Sequence, residues 1–493
     1  MSRRLLAPLV VAAVVAGGTT AAALSWPVLP RVPGPPPPPT AAPVVERGLV
    51  CADVAADPGR VTTRASLAAL PSPAGTRSAG RAAMTAVRGA ATTPLPVLVG
   101  AGAVSKAEVA RAAGPIRADA YGPLAAGVAA ELLARIDAGQ GRGLAETRCA
   151  VAAPDTWFVG GSTTVGSSAS LLLVNPDEVV ATADVSLMTA AGPVAPRSAR
   201  GVEVPARGSV RMALESLAPN VPALATHVAV TAGRLTATMF ERRHLASLAL
   251  GVDYVAPTAA PARAAVVPGL VAGPGARSVL LAVPGPDDAS VELRVVTTDG
   301  SFVPAALNAV RVRAGTVVPV DLARVLAGRP AAVVVSSDVP VLAGGFSAQG
   351  DAVTHEAEFA WTAATPPLGG AALVPDNRVR GAQRSVLLLT APEASATVSL
   401  TGLSAGPQAG PGPVMIRVPA GRTIAVPLQV LRMPGGEFAL VVTPMPGSGP
   451  IYGSRQLSEQ RGRGVWLSQL TLERTEVTAS VPTVVQDPAA GAP

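Results

Sequence analysis

The sequence predicts an all-β protein. It reads as tandem immunoglobulin-like antiparallel β-sandwiches, three clear repeats of about 107 residues and a degenerate N-terminal unit, preceded by an N-terminal signal or anchor helix. Three observations predict this. The sequence repeats itself at a fixed step, each repeat carries about seven short apolar or alternating runs, and the 50 Gly and 50 Pro fall largely between those runs. Ser170-Leu171-Leu172-Leu173 recurs as Ser278-Val279-Leu280-Leu281 and as Ser385-Val386-Leu387-Leu388, at steps of 108 and 107. Val204-Pro205-Ala206-Arg207-Gly208 recurs as Val312-Arg313-Ala314-Gly315 and Val418-Pro419-Ala420-Gly421. Tyr254, Trp361 and Trp466 fall 107 and 105 apart. A fixed period of this kind marks a repeat architecture, and a propeller blade would need only about half the length. Seven short strands per repeat suit a two-sheet sandwich.

Residues 1–26 are read as a signal peptide or transmembrane anchor. Ser2-Arg3-Arg4 precedes an apolar stretch from Leu5 to Leu24, a basic region followed by a Leu/Val/Ala run. Ala21-Ala22-Ala23 offers a small-residue cleavage site, whereas the length of the stretch also suits a single membrane span. Gly17-Gly18-Thr19-Thr20 weakens the anchor reading. Either way the charge order puts the remaining chain outside the cytoplasm. Residues 27–46 are a proline-rich linker around Pro35-Pro36-Pro37-Pro38-Pro39. Such a tract forms extended polyproline II and spaces a body from its anchor, a stalk rather than bait for a proline-binding partner.

Residues 47–153 are assigned to the degenerate first β unit. Gly141-Arg142-Gly143 echoes Gly462-Arg463-Gly464 three periods later, and Arg47-Gly48-Leu49-Val50 stands for Arg384-Ser385-Val386-Leu387. Against this, the Ala-rich segment from Gly127 to Ile136 suits a helix equally well. Cys51 and Cys149 are the two cysteines. In an oxidising extracytoplasmic space they form one bridge, the alternative being two buried thiols.

Residues 154–261, 262–368 and 369–493 are the three sandwiches, the last with a C-terminal strand and tail. In the first, Leu171 to Val174 is a short continuous apolar run ended by Asn175-Pro176, and Val180 to Met188 alternates as a half-buried strand does. Ala232-Gly233 between Val228–Thr231 and Leu235–Phe240 reads as a tight hairpin. The second and third follow the same order. Val477 to Val485 reads as a completing strand that covers an exposed edge.

Composition limits the function. The chain is 49% hydrophobic but only 3% aromatic, so Val, Ala and Leu fill the cores. Its net charge of +7 is carried almost wholly by Arg, since Lys106 is the single lysine. A basic balance favours acidic partners such as anionic lipid headgroups or acidic wall polymers, but these arginines are scattered with no run of five, which argues against nucleic acid and reads more simply as ordinary surface charge. His227, His244 and His355 show neither metal-ligand spacing nor the repeat period, and no cofactor is indicated. Gly160-Gly161-Ser162 and Gly344-Gly345-Phe346-Ser347 match neither a nucleophile elbow nor a phosphate loop. Asp287-Asp288, Glu356 and Glu358 are acids of the type a glycosidase pairs across a bond, but their spacing does not set them opposite one another. Tyr254, Trp361 and Trp466 either pack one edge of each sandwich or give a sugar-stacking platform once per unit, an arrangement suited to polymer ligands.

Cys51, Gly141-Arg142-Gly143-Leu144, Arg148-Cys149, Trp157-Phe158-Val159-Gly160-Gly161, Leu172-Leu173-Val174-Asn175-Pro176 and Val204-Pro205-Ala206-Arg207-Gly208 follow the basic-apolar signal in that order. In this order the chain resembles an actinobacterial family of exported or membrane-anchored proteins of unknown function. The resemblance covers most of the chain beyond the proline tract and implies an envelope protein, often encoded near a family-2-type glycosyltransferase. It supplies no catalytic residues. Asp155-Thr156-Trp157 stands where the resemblance leads one to expect a Trp pair. The expected function is a non-enzymatic extracytoplasmic scaffold or binding protein with a cell-wall polysaccharide or envelope protein as partner. A carbohydrate-binding accessory to polysaccharide or glycoprotein assembly is the alternative, and an envelope hydrolase with an inter-domain site is a distant third.

Overall fold

The computed structural model describes residues 40–53, 61–71, 80–87, 95–109, 114–350, 357–405, 410–462 and 464–481. The apolar N-terminal stretch, most of the proline tract and His355 lie outside the described residues. The chain divides into two compact units. In the smaller, Thr40–Pro43 pairs with Thr478–Val481 in a two-stranded sheet. The larger, 43–477, carries all the remaining sheets.

Of four successive stretches of the larger unit, the first, second and fourth each supply two sheets and the third a single eight-stranded one, all with antiparallel strand pairings. The first gives Glu46–Cys51, Ile116–Tyr121, Arg81–Ala86 and Val97–Leu98 in one sheet, and Val104–Val109, Val61–Ala69, Val128–Ile136 and Gly143–Arg148 in the other. Cys51 and Cys149 are disulfide-bonded. The Ala-rich segment is therefore a strand, not a helix. Ala130 and Leu132 enter the core of their own repeat, while Ala134 and Ile136 pack against the second repeat and Leu133 against the fourth. A segment needed on both faces follows its contacts, because alanine's helix preference is worth well under about 1 kcal/mol per residue.

The same logic explains the continuous apolar runs. Leu171 and Leu173 face the core of the second repeat, and Leu172 and Val174 face the first. In the third repeat Val279 and Leu281 point inward, whereas Leu280 and Ala282 join the core of the second. Where one face meets solvent, alternation returns: Ala289, Val291, Leu293 and Val295 are buried while Ser290 and Glu292 are exposed.

Two expectations change. Ala232-Gly233 is not a hairpin. Ala225–Ala232 pairs with Ala181–Thr189 in one sheet and Thr236–Leu245 with Ser167–Val174 in the other, so the chain crosses between sheets at Gly233. A Cβ there would press on Ala181, and its φ of +73° suits glycine. In the third repeat the crossing is continuous: one strand, Ala331–Gln349, pairs with Ala289–Thr297 through Ser337 and with Arg277–Ala282 from Leu342. Nor do all prolines lie between strands. Pro268 and Pro375 sit inside Ala262–Leu270 and Ala372–Arg378, each where the register shifts and the ladder needs no donor.

The repeats do not form an open row. The strand that closes each sandwich packs against two of its counterparts: Gly143–Arg148 on Leu248–Val255 and Gly464–Thr471, and Glu358–Ala363 on those same two. The four closing strands thus make a circuit that returns the fourth repeat to the first.

Candidate functional site

At this junction the chain buries charge. The Glu358 carboxylate accepts backbone N–H bonds from Val252 (3.0 Å), Phe359 (3.2 Å) and Leu144 (3.3 Å), joining three repeats. Gly143 and Gly251 leave it room, since a Cβ on either would collide with it. Asp253 accepts from the Trp361 N–H at 2.8 Å and the Ser468 hydroxyl at 2.7 Å, and Ser468 Oγ accepts from the Glu146 N–H at 2.8 Å. Burial pushes both Asp253 and Glu358 well above the usual carboxylate range, with their hydrogen bonds opposing it.

Further out, Arg455 donates to both oxygens of Glu146 (2.5 and 2.7 Å) and to Glu131 at 3.2 Å. Burial also pushes Glu131 upward against the pull of Arg455. Asp376 lies between Lys106 (2.5 Å) and Arg378 (2.7 Å). Burial raises its pKa, but the two cations outweigh that and hold the carboxyl well below its ordinary range. Arg455 with Glu131 and Glu146, and Lys106 with Asp376, thus pair residues of the first and fourth repeats.

The three repeat-linked aromatics belong to these seams. Tyr254, Trp361 and Trp466 are 4%, 2% and 4% exposed. Tyr254 meets Phe240 edge-on and donates to the Asp53 carbonyl. Trp361 donates its indole N–H to Glu241 at 2.7 Å, and Arg243 lies over its ring and those of Phe346 and Phe359. Trp466 is surrounded by Arg135, Arg142 and Arg461. Their burial favours the packing reading of these side chains over the sugar platform.

An accessible aromatic lies elsewhere. Trp157, His227 and Ser186 stand side by side on three neighbouring strands, Asp155–Val159, Ala225–Ala232 and Ala181–Thr189. The indole of Trp157 and the imidazole of His227 stack at 3.7 Å with 6° between their planes, and Asp155 holds His227 Nε2. Unlike Trp361 and Trp466, Trp157 is only half-buried. The pair lines a groove of about 600 Å³, closed on one side by the Pro284-Gly285-Pro286 and Ala314-Gly315 turns of the third repeat. The sequence argued against an aromatic site at Trp157, because Asp155-Thr156-Trp157 stands where the resemblance leads one to expect a Trp pair, and Trp157 has no aromatic counterpart at the repeat step.

The remaining candidates stay apart. His244 bonds the Ala246 carbonyl in an exposed turn, the Asp288 carboxylate accepts the Ala314 N–H, Glu358 is at the junction, and Glu356 lies outside the described residues. Among the described residues no group of three or more His, Cys, Asp or Glu is placed to hold a metal, and no helix is long and apolar enough to cross a membrane.

A model of a family of unknown function, DUF5719, matches residues 99–429. No curated protein and no solved structure matches the chain.

Proposed function

The chain belongs to the family of unknown function DUF5719, and from that premise we propose a non-enzymatic binding protein of the extracytoplasmic envelope whose ligand is a carbohydrate polymer. The observation that carries this reading is the Trp157–His227 stack on an open sheet face. An aromatic surface covers the apolar C–H face of a sugar ring, while Ser186 beside it orients hydroxyls and Asp155 holds the His227 ring in place. The groove runs between two repeats and is open, as an extended chain requires. The disulfide supports an oxidising compartment. The basic-then-apolar N-terminal segment supports export with retention at the membrane or release after cleavage, and the resemblance noted above suggests an actinobacterial source and a role beside a family-2-type glycosyltransferase.

The test is retention on purified wall polysaccharide. The wild-type chain is expected to be retained and Trp157→Ala to pass through, with an unchanged melting temperature in the variant. Equal retention of both would remove the groove from the proposal. No retention of either would leave only a scaffold that holds envelope proteins.

A further inference from the structure

Among the described residues that line the Trp157 groove, His227 alone carries a titratable side chain. Its two ring nitrogens are placed differently. Asp155 holds Nε2. An ionised carboxylate only accepts hydrogen bonds, so the neutral ring keeps its hydrogen on Nε2 and a bare lone pair on Nδ1. Nδ1 has no hydrogen-bond partner among the described residues and keeps accessible surface, in a side chain that is 24% exposed. Building on the carbohydrate reading of the groove, we propose that His227 decides which sugars it accepts: neutral, it admits hydroxyl groups and turns carboxylates away, and protonated, it admits carboxylates.

The ring is pinned. Trp157 lies flat against one face at 3.7 Å, and turning the ring over would break the Asp155 bond. Protonation therefore changes what the groove presents without moving the ring. A lone pair at Nδ1 accepts a sugar hydroxyl but repels a carboxylate oxygen, and the charge beside it is then that of Asp155 alone. With a second ring proton the charges of His227 and Asp155 cancel, and Nδ1 offers a charged N–H, which makes one of the stronger hydrogen bonds to a carboxylate. A hydroxyl both donates and accepts, so it bonds either form. The switch lies in selectivity rather than in binding as such.

Other charges stand on the neighbouring elements. Asp184 and Glu203 lie on strands of the same sheet, and the Asp184 carboxylate accepts the Gly201 N–H at 2.7 Å. Arg197 and Arg200 are exposed on the turn before Val202–Val204. The third repeat brings Asp287, Asp288 and Arg313. Asp288 accepts the Ala314 N–H at 2.8 Å, and Arg313 donates to the Ala190 carbonyl at 3.1 Å. None of these side chains lines the groove, and ordinary carboxylates and guanidiniums hold their charge between about pH 5 and 8, where histidine changes its own.

The experiment is a ligand-observed NMR titration of the whole protein with trigalacturonic acid and its trimethyl ester, the same sugar chain with and without carboxylates, at about pH 5 and about pH 8 in about 0.15 M salt. In the wild type the affinity for the acid relative to the ester is expected to be about tenfold or more higher at the lower pH. His227→Gln, whose amide does not titrate, is expected to hold that ratio constant. If it fails to fold, His227→Phe, which keeps a flat ring against Trp157, gives the same readout. Trp157→Ala is expected to lose both ligands at both pH values. The proposal is overturned if neither oligosaccharide binds, if the wild-type ratio is the same at both pH values, if His227→Gln shifts as the wild type does, or if Trp157→Ala binds as wild type. Any of the first three results alongside Trp157-dependent retention on wall polysaccharide removes the switch alone; without that retention, the groove falls with it.

Discussion

Glu146 and Arg455 are 309 residues apart in sequence, yet Arg455 donates to both oxygens of Glu146 at 2.5 and 2.7 Å with both side chains fully buried. The pair ties the closing strand of the first repeat to the fourth. Arg455→Ala leaves Glu146 and Glu131 in the interior without their cation, and loss of one partner of a buried pair costs about 3–5 kcal/mol. Urea unfolding is expected to show that loss. A change below about 1 kcal/mol would mean the pair is not desolvated as described.

Stability is expected to peak at mildly acidic pH. Asp253 and Glu358 titrate higher in the folded chain than when unfolded, so the folded state keeps protons that the unfolded chain loses above about pH 4. Their contribution is complete below that pH and declines as pH rises toward the folded values. Asp376 has the opposite sign. Its depressed pKa gives stability above about pH 4 that disappears as pH falls through the folded value. Melting curves across pH are expected to flatten on the alkaline side in Asp253→Asn and on the acid side in Asp376→Asn. An alkaline slope unchanged in Asp253→Asn would contradict the assignment.

Gly251 tests the steric logic of the junction. Its φ of +114° and the collision of a Cβ with Glu358 predict that Gly251→Ala destabilises the chain by about 2 kcal/mol or more. Adding Glu358→Ala relieves the clash but not the backbone strain, so partial rescue is expected in a double-mutant cycle. Strictly additive effects would show that the two residues do not meet.

The Cys51–Cys149 bridge closes a separation of 98 residues. Replacing both cysteines with serine is expected to cost about 2–5 kcal/mol, read as an earlier unfolding midpoint that reductant reproduces in the wild type. A midpoint insensitive to reductant would show that the bridge contributes nothing.

The strands were legible because their pattern is local. Ser170-Leu171-Leu172-Leu173 and its echoes needed only the 107-residue step to mark equivalent positions, and each is a strand. The circuit was not legible, because it rests on pairs such as Ser468 with Asp253 that lie far apart in the chain and share no motif. The step itself held a clue: 107 residues beyond Trp361 lies Ser468, not Trp466. Matching aromatic to aromatic hid a serine that hydrogen-bonds across the junction. Likewise the sequence placed Glu358 only among acids of the type a glycosidase pairs, since nothing nearby in sequence announces the three backbone donors that surround it. Trp157, the best-placed ring, was obscured by being unique.

The return of the fourth repeat to the first also fixes how many repeats the protein holds. In an open row, a duplication or deletion only lengthens or shortens the molecule, because interior units keep the same neighbours. Here removing one repeat would strip two seams at once, and inserting a fifth would force Gly464–Thr471 away from Gly143–Arg148. Relatives that keep this junction are therefore expected to vary in their loops and grooves while holding to four repeats.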